Sequence, residues 1–200
     1  KQTRRTFLKT SLYTGATVAW TAKSWSQVKG ANETLRCATI GFRGRGGSHI
    51  GSITNMQKRE QGVKLVALCD VDNKVLAAGA AKHKVNGYQD IREMLKKEDL
   101  DVVTIATPNH WHSLAAIWAI QAGKDVYVEK PVSHNVWEGR QLVNAARKYK
   151  KIVQTGTQAR SSKCIQDAVQ WVQAGNIGKI KVSRGLCYKR RGSIGDIADT

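Results

Sequence analysis

The most informative stretch for the architecture is Leu35-Arg36-Cys37-Ala38-Thr39-Ile40-Gly41-Phe42-Arg43-Gly44-Arg45-Gly46-Gly47. Its apolar first half predicts a buried strand over 35–41, and its glycine-rich second half leads into a predicted helix over 46–57. Glycines allow a backbone to approach a phosphate closely, and a helix start presents free N–H groups and a positive dipole. The stretch therefore predicts a phosphate-binding turn, although the same glycines would also suit a plain tight turn.

The alternation of strand and helix continues to about residue 158. The predicted strands are 63–69, a short one at 88, 101–106, 125–128 and 152–155, and the predicted helices are 73–83, 90–97, 111–122 and 136–149. The strands are continuous apolar runs, which is typical of a parallel sheet covered by helices on both faces. We therefore expect an α/β fold with a doubly wound parallel sheet over 34–158.

One edge of this sheet is expected to carry the site. The chain has two prolines, Pro108 and Pro131, and both follow the end of a predicted strand. Ligands of open parallel sheets bind outside the carboxyl ends of the strands. The other residues that follow strand ends there are Gly41, Asp70, Thr107 and Lys130.

The glycine turn and Asp70 together predict a dinucleotide site. Gly41 and Gly46 fit the first and third places of the G-x-G-x-x-G pattern, whereas Arg43 takes the middle place and Gly44 follows it. A carboxylate at Asp70 suits ribose hydroxyls and would repel a 2′-phosphate, which favours NAD over NADP.

Two alternatives stay open at this turn. Arg43 and Arg45 leave NADP possible, because an arginine can hold a 2′-phosphate. Asp70 has a second possible role as the cap of the next helix, although Asp72 suits that role better.

Proton transfer is assigned to Lys130, in the tripeptide Glu129-Lys130-Pro131. A lysine beside a nucleotide site is a candidate proton acceptor, and a solvated lysine at a strand end is the alternative. Successive strand residues point to opposite faces, so Glu129 and Lys130 are not expected to share a role. His112 is a candidate site residue, and His110 is interpreted as a surface residue or helix cap. The tryptophans at 111, 118, 137 and 171 are interpreted as packing residues.

The beginning of the chain predicts export. Thr3-Arg4-Arg5-Thr6-Phe7-Leu8-Lys9 precedes a mildly apolar stretch, which is the layout of a twin-arginine signal, with a basic amphipathic helix as the alternative. We assign 1–33 to signal and linker, and expect a periplasmic or otherwise exported protein. The export machinery is then a partner. Because this route carries folded proteins, the nucleotide is expected to be tightly bound.

Composition excludes several classes of protein. The net charge is +18, but the basic residues are spread over many predicted helices, so no nucleic acid partner is expected. The four cysteines show no C-x-x-C spacing, so neither a metal site nor a disulfide framework is expected. No apolar run is long enough for a membrane-spanning helix.

The regular alternation of predicted strands and helices ends at about residue 158. A helix is predicted over 164–174 and a strand over 179–188. One helix and one strand cannot form a core, so we expect 159–200 to be the incomplete start of a second α/β domain.

At this point the chain resembles the Gfo/Idh/MocA oxidoreductases. The resemblance rests on Ile105-Ala106-Thr107-Pro108-Asn109-His110-Trp111-His112, on Glu129-Lys130-Pro131, on the glycine turn and on Gln154-Thr155-Gly156-Thr157-Gln158. It implies a Rossmann domain followed by a substrate domain with an open-faced sheet, and redox chemistry on a sugar or polyol hydroxyl with bound NAD(P). It also implies a catalytic role for Lys130 and places His112 in the cofactor-side loop, and we assign His112 a catalytic role as well. The implied cofactor contacts are Gly41, Phe42, Arg43, Gly44, Arg45, Gly46, Asp70, Thr107, Asn109, His112, Glu129 and Lys130.

Three functions remain in competition. The first is an NAD(P)-dependent oxidoreductase acting on a hydroxyl of a sugar, polyol or glycoside, with tightly bound nucleotide and a homo-oligomer formed through the second domain. The second is a glycosidase that oxidises a sugar hydroxyl, eliminates the glycosidic bond and returns the hydride. The third is a nucleotide-binding protein without turnover.

Overall fold

The computed structural model describes residues 34–187 and Gly192. The chain divides into two compact units, one ending at Gly156 and the other beginning at Thr157. The predicted signal and linker over 1–33 lie outside the described residues, so both stay predictions.

The described part of the first unit consists of alternating strands and helices. The strands are β1 (Leu35–Ile40), β2 (Val63–Cys69), β3 (Asn86–Tyr88), β4 (Val102–Ile105), β5 (Asp125–Glu129) and β6 (Val153–Gly156). The helices are α1 (Arg45–Lys58), α2 (Asn73–His83), α3 (Ile91–Lys97), α4 (Asn109–Gln121) and α5 (Val136–Tyr149).

The strands form one parallel sheet in the order β3-β2-β1-β4-β5-β6. The chain winds outward from β1 to β3 and then returns to the other side of β1 for β4, so the winding direction reverses between β1 and β4. This is the predicted doubly wound parallel sheet of the Rossmann type, and the prediction is confirmed. The reversal leaves a crevice at the carboxyl ends of β1 and β4, where such sheets bind ligands.

The core explains why the strands read as continuous apolar runs. Two clusters of buried apolar side chains pack against the sheet, and Ala38, Val103 and Val128 are fully buried. Cys37 and Cys69 lie in these clusters as small apolar groups, and burial raises the pKa of their thiols to about 11 and about 12.

The second unit contains a short 3₁₀ helix (Gln158–Ser161) and a helix α6 (Lys163–Gln173). The prediction of a strand over 179–188 is wrong for 179–187, which form no regular structure. A strand needs a neighbour for its backbone hydrogen bonds, and no strand occurs among the described residues of this unit. None of the helices in the described part of the chain is long and apolar enough to cross a membrane.

Candidate functional site

The glycine turn is shaped by two close backbone contacts. Gly41 has φ +73° and lies against Thr107, where an added Cβ would come within 2.9 Å of the backbone. At Gly46 an added Cβ would lie only 2.0 Å from the carbonyl oxygen of Gly41. Both positions therefore require glycine, and the turn is more tightly constrained than a plain tight turn needs to be.

Helix starts at the sheet edge differ in their capping. Asp72, Asp90 and Asn135 cap α2, α3 and α5 with side-chain oxygens. No side chain caps α1 or α4, and neither helix has an acidic residue in its first turn. These two helices follow β1 and β4 and border the crevice, so their N–H groups and dipoles favour an anion there.

Asp70 is anchored at the end of β2 with its carboxylate held by backbone. Its Oδ2 accepts a hydrogen bond from Phe42 N at 3.0 Å, and its Oδ1 accepts one from Asp72 N at 3.1 Å. Each carboxylate oxygen has a further lone pair available for a ligand donor. Asp72 rather than Asp70 caps α2, so the capping alternative for Asp70 is excluded.

A cavity of about 510 Å³ opens beside this carboxylate. Its walls come from the turn after β1 and from the segments that follow β2, β3 and β4. Of the sequence-predicted residues it is lined by Gly41, Phe42, Arg43, Gly44, Asp70 and Thr107. The far wall is formed by Gln89, Asp90, Ile91, Arg92, Trp111 and Trp118, none of which sequence reasoning assigned to the site.

This far wall combines aromatic and charged groups. The rings of Trp111 and Trp118 lie 5.9 Å apart between centroids, and the Arg92 guanidinium lies 5.5 Å from the Trp118 ring centroid. The two tryptophans are seven residues apart on α4, a spacing that puts them on one helix face and that could have signalled a shared wall. Aromatic rings with a guanidinium beside them suit contact with a heteroaromatic base.

Each arginine in the cavity wall is paired with a carboxylate. Arg43 contacts Asp72 at 2.9 Å, and Arg92 contacts Asp90 at 2.5 Å. Hydrogen bonds from Arg92 lower the pKa of Asp90 to about 2. Two arginines and three aspartates line the cavity, so these side chains leave one net negative charge in a chain of net charge +18. Asp70 is the aspartate among them that forms no ion pair with a described residue.

Lys130 and Glu129 behave differently, as expected from strand alternation. Lys130 is exposed at the end of β5, and no carboxylate of the described residues lies within ion-pair distance of its amine. Glu129 is 4% exposed, and its Oε1 lies 2.9 Å from His49 Nε2 and 3.1 Å from Arg45 Nε.

Glu129 and Arg45 contact each other within the protein, and their cofactor contacts stay predictions. The Glu129 carboxylate points into the protein and ties β5 to the first turns of α1, and it also accepts a bond from Lys130 N at 3.3 Å. Arg45 forms an ion pair with that carboxylate, and neither side chain lines the cavity. Sequence reasoning missed His49, because its partner lies 80 residues away.

His112 is held between two backbone carbonyl groups. The ring is 1% exposed, and its Nδ1 and Nε2 lie 2.6 Å and 2.7 Å from the carbonyl oxygens of Pro131 and Thr107. His112 thus joins the segments that follow β4 and β5 through their backbone carbonyls, and its catalytic role stays a prediction.

Gly46 and Asn109 lie at the same edge without lining the cavity. Gly46 is buried in the turn, and Asn109 is exposed at the start of α4. Thr107 presents a buried hydroxyl oxygen that has no hydrogen-bond partner in the described structure. His110, interpreted as a surface residue, is exposed and contributes to the cavity wall.

The residues at this edge fit a dinucleotide. The glycine cradle leaves room for a phosphate backbone that a Cβ would fill, uncapped N–H groups face it, and a fixed carboxylate stands one strand away. They do not fit a metal ion, because no group of three or more His, Cys, Asp or Glu in the part of the chain that the structure describes has the required arrangement.

Known proteins are similar to this chain in sequence and in fold. A family model described as "Oxidoreductase family, NAD-binding Rossmann fold" matches residues 35–157. A glycosyl hydrolase family 109 protein of Solibacter usitatus is 35% identical over 127 residues, which cover 58% of this chain and 28% of that protein. An alpha-N-acetylgalactosaminidase of Shewanella oneidensis is 32% identical over 130 residues, which cover 60% of this chain and 27% of the relative.

Solved structures give the same picture. Myo-inositol 2-dehydrogenase from Lactobacillus plantarum is similar with a TM-score of 0.68 and 31% identity, over 74% of this chain and 43% of that one. The WlbA dehydrogenase from Bordetella pertussis, in complex with NADH and UDP-GlcNAcA, has a TM-score of 0.68 and 26% identity, over 73% of this chain and 44% of that one. The chain thus spans about a quarter of the curated relatives and less than half of these solved chains.

Proposed function

The chain belongs to the Gfo/Idh/MocA oxidoreductase family, and on this premise we propose that it is an NAD-dependent oxidoreductase acting on a hydroxyl of a sugar, polyol or glycoside. The observation that carries the proposal is that three groups lie at one edge of the sheet. They are the uncapped start of α1, the fixed carboxylate of Asp70 and the exposed amine of Lys130. Nucleotide binding and proton transfer need these three groups at one edge.

The charges of the cavity favour NAD over NADP. Arg43 and Arg45 were the residues that left NADP possible, and both are paired, with Asp72 and Glu129 respectively. A 2′-phosphate would therefore meet the carboxylate of Asp70 without a free arginine from this turn. A ribose diol would instead donate hydrogen bonds to that carboxylate.

Three parts of the cofactor have a matching group in or beside the cavity. The N–H groups at the start of α1 would hold the pyrophosphate, Asp70 the adenosine ribose, and the wall of Trp111 and Trp118 the base. The bound nicotinamide supplies the hydride chemistry, and the protein supplies position and charge. Lys130 would accept the proton of the reacting hydroxyl or return it.

The residues around Lys130 have supporting roles. Glu129 accepts a hydrogen bond from Lys130 N and binds α1 through His49, so the lysine backbone is tied to the helix that receives the phosphates. His112 ties the following residue, Pro131, to Thr107 on the neighbouring strand end. Both contacts would limit how far the lysine moves relative to the cofactor.

The first test identifies the cofactor directly. The full-length protein is purified without added nucleotide and denatured, and the released small molecules are identified by mass spectrometry. Stoichiometric NAD supports the proposal, stoichiometric NADP contradicts the assigned preference, and a protein that neither carries nor binds either nucleotide contradicts it altogether.

Two variants then separate binding from chemistry. Lys130→Ala should abolish turnover while the nucleotide stays bound, and the exposed Lys96→Ala on α3 serves as the matched lysine control. Asp70→Ala should weaken NAD more than NADP, because it removes the ribose acceptor and the charge that repels a 2′-phosphate. Equal weakening of both nucleotides would exclude Asp70 as the ribose ligand.

A glycosidase that uses the same apparatus is the second candidate. The observation in its favour is that the curated relatives quoted above are glycosyl hydrolase family 109 proteins and an alpha-N-acetylgalactosaminidase. In this reaction the cofactor is restored in every turnover, so a glycoside should be hydrolysed without added NAD. Hydrolysis that requires a continuous supply of NAD, or release of NADH into solution, would argue for a simple dehydrogenase.

Export by the twin-arginine route completes the proposal. It is supported by the sequence from Thr3 to Lys9. Replacing Arg4 and Arg5 together by lysine should retain the protein in the cytoplasm, while a variant with a lysine elsewhere in the first 33 residues changed to arginine should still be exported. Unchanged fractionation of the double variant would contradict this part of the proposal.

A further inference from the structure

Resting on the proposed nucleotide site, we propose that Asp72 is a specificity-determining residue that excludes NADP by occupying Arg43. Arg43 is the residue that follows Phe42, whose N–H binds the ribose-side carboxylate of Asp70 at 3.0 Å. An arginine at this place would begin beside the 2′-phosphate of a ribose bound by Asp70. Its guanidinium is turned instead onto Asp72, at 2.9 Å from Oδ2.

Asp72 is held in place at the cavity wall, because its other oxygen caps a helix. Oδ1 accepts hydrogen bonds from Lys74 N at 2.9 Å and Val75 N at 3.2 Å and so caps α2. The Asp72 side chain is 22% exposed, whereas that of Arg43 is 74% exposed. The carboxylate is therefore the fixed partner and the arginine the mobile one. To reach a 2′-phosphate, Arg43 has to leave its ion pair.

Asp72 opposes a 2′-phosphate in two ways. It adds a negative charge next to that of Asp70, and it neutralises the arginine of the turn that could offset both. Arg92, the other arginine of the cavity, is held in the same manner by Asp90 and lies over Trp118 on the far wall. The adenosine ribose of NAD carries uncharged hydroxyl groups instead of a phosphate, so these negative charges do not repel it.

The test replaces Asp72 by asparagine, which retains an oxygen for the helix cap but has no charge. Dissociation constants for NAD⁺ and NADP⁺ are measured by calorimetry on the nucleotide-free full-length protein. We expect Asp72→Asn to tighten NADP⁺ about tenfold, since one arginine is released to form a charge-assisted hydrogen bond at an exposed site. The affinity for NAD⁺ should change by less than about threefold.

A cycle with Arg43→Gln assigns the effect to the arginine. The gain in NADP⁺ affinity from Asp72→Asn should be several-fold smaller in the Arg43→Gln background, where only the lost carboxylate charge contributes. Asp167→Asn on α6 makes the same change of net charge elsewhere and should have no effect on either nucleotide.

Two outcomes would overturn the inference. They are an unchanged ratio of the two affinities in Asp72→Asn, or a gain from Asp72→Asn that is equally large with and without Arg43. If Asp72→Asn folds poorly, Asp72→Ser, which caps through its hydroxyl, answers the same question. Binding of NAD⁺ by the parent protein is the separate check on the proposed function, and its absence would refute both.

Discussion

Replacing Gly46 by alanine should open the phosphate-binding turn. The added Cβ would lie 2.0 Å from the carbonyl oxygen of Gly41 and 3.1 Å from the Cβ of Phe42. A carbon and a carbonyl oxygen approach no closer than about 3.3 Å, so the turn and α1 must separate by about 1 Å. The first of these is a backbone atom and the second is a Cβ atom, so rotation of a side chain relieves neither contact.

The magnitude follows from two opposing terms. Overpacking of this kind costs about 1–3 kcal/mol, whereas changing a helical glycine to alanine contributes about 0.5–1 kcal/mol of stability. Gly51 lies in the same helix with nothing within 4 Å of an added Cβ, so Gly51→Ala gains the second term alone. Gly46→Ala should therefore be about 1–3 kcal/mol less stable than Gly51→Ala.

Urea unfolding of the two variants measures this difference, and calorimetry measures their affinity for NAD⁺. A shift of about 1 Å in groups that must contact a phosphate should weaken binding at least tenfold in Gly46→Ala, and Gly51→Ala should bind as the parent does. If the two variants have equal stability and equal affinity, the close approach of Gly41 and Gly46 does not shape the site.

Three further predictions concern the groups behind the site. Glu129→Gln should lower the free energy of unfolding by about 2–4 kcal/mol, because it leaves Arg45 and His49 facing a neutral group; the exposed Glu93→Gln is the control, and equal urea midpoints would contradict the buried network. His112→Phe should cost about 1–3 kcal/mol, because it removes the ring N–H that a buried backbone carbonyl accepts, and should lower kcat without moving the pH profile of kcat; a displaced profile would restore a catalytic role. Hydrogen bonds from Arg36 lower the pKa of Asp101 to about 2, below an unfolded value of about 3.9. Its contribution to stability is therefore complete above about pH 5 and is lost as the pH falls toward 2. The stability difference between the parent and Asp101→Asn, measured by urea unfolding, should shrink over this range, and a constant difference would refute the assignment.

Most of the fold could be predicted because its signals are local. Continuous apolar runs mark strands buried on both faces, and β2, α2 and α5 have the bounds that the pattern predicts. The sheet-edge rule then brought Gly41, Asp70 and Thr107 to one cavity wall without knowledge of any side-chain contact. The misplaced strand at 179–187 shows the limit, because strand propensity without a partner does not make a ladder.

The side-chain roles at the site could not be predicted in the same way. The amino acids of the Glu129–His49 and His112–Pro131 contacts are visible in the sequence, but each pair is joined only when a helix comes to lie beside the carboxyl end of β5. The wall of Arg92 and Trp118 likewise combines a segment after β3 with the middle of α4. No local periodicity encodes such pairings.

The sequence by itself determined the order of strands and helices, the edge where the site lies and the residue types available there. Hydrophobic periodicity and the chemistry of glycine act over a few residues, and this is why they can be read directly. Only the tertiary structure decided which charged side chains form ion pairs within the protein. It paired Arg43 with Asp72 and Arg45 with Glu129 and left Asp70 open to a ligand. Electrostatic pairing depends on distances of a few ångströms between groups far apart in the chain, and folding alone sets those distances.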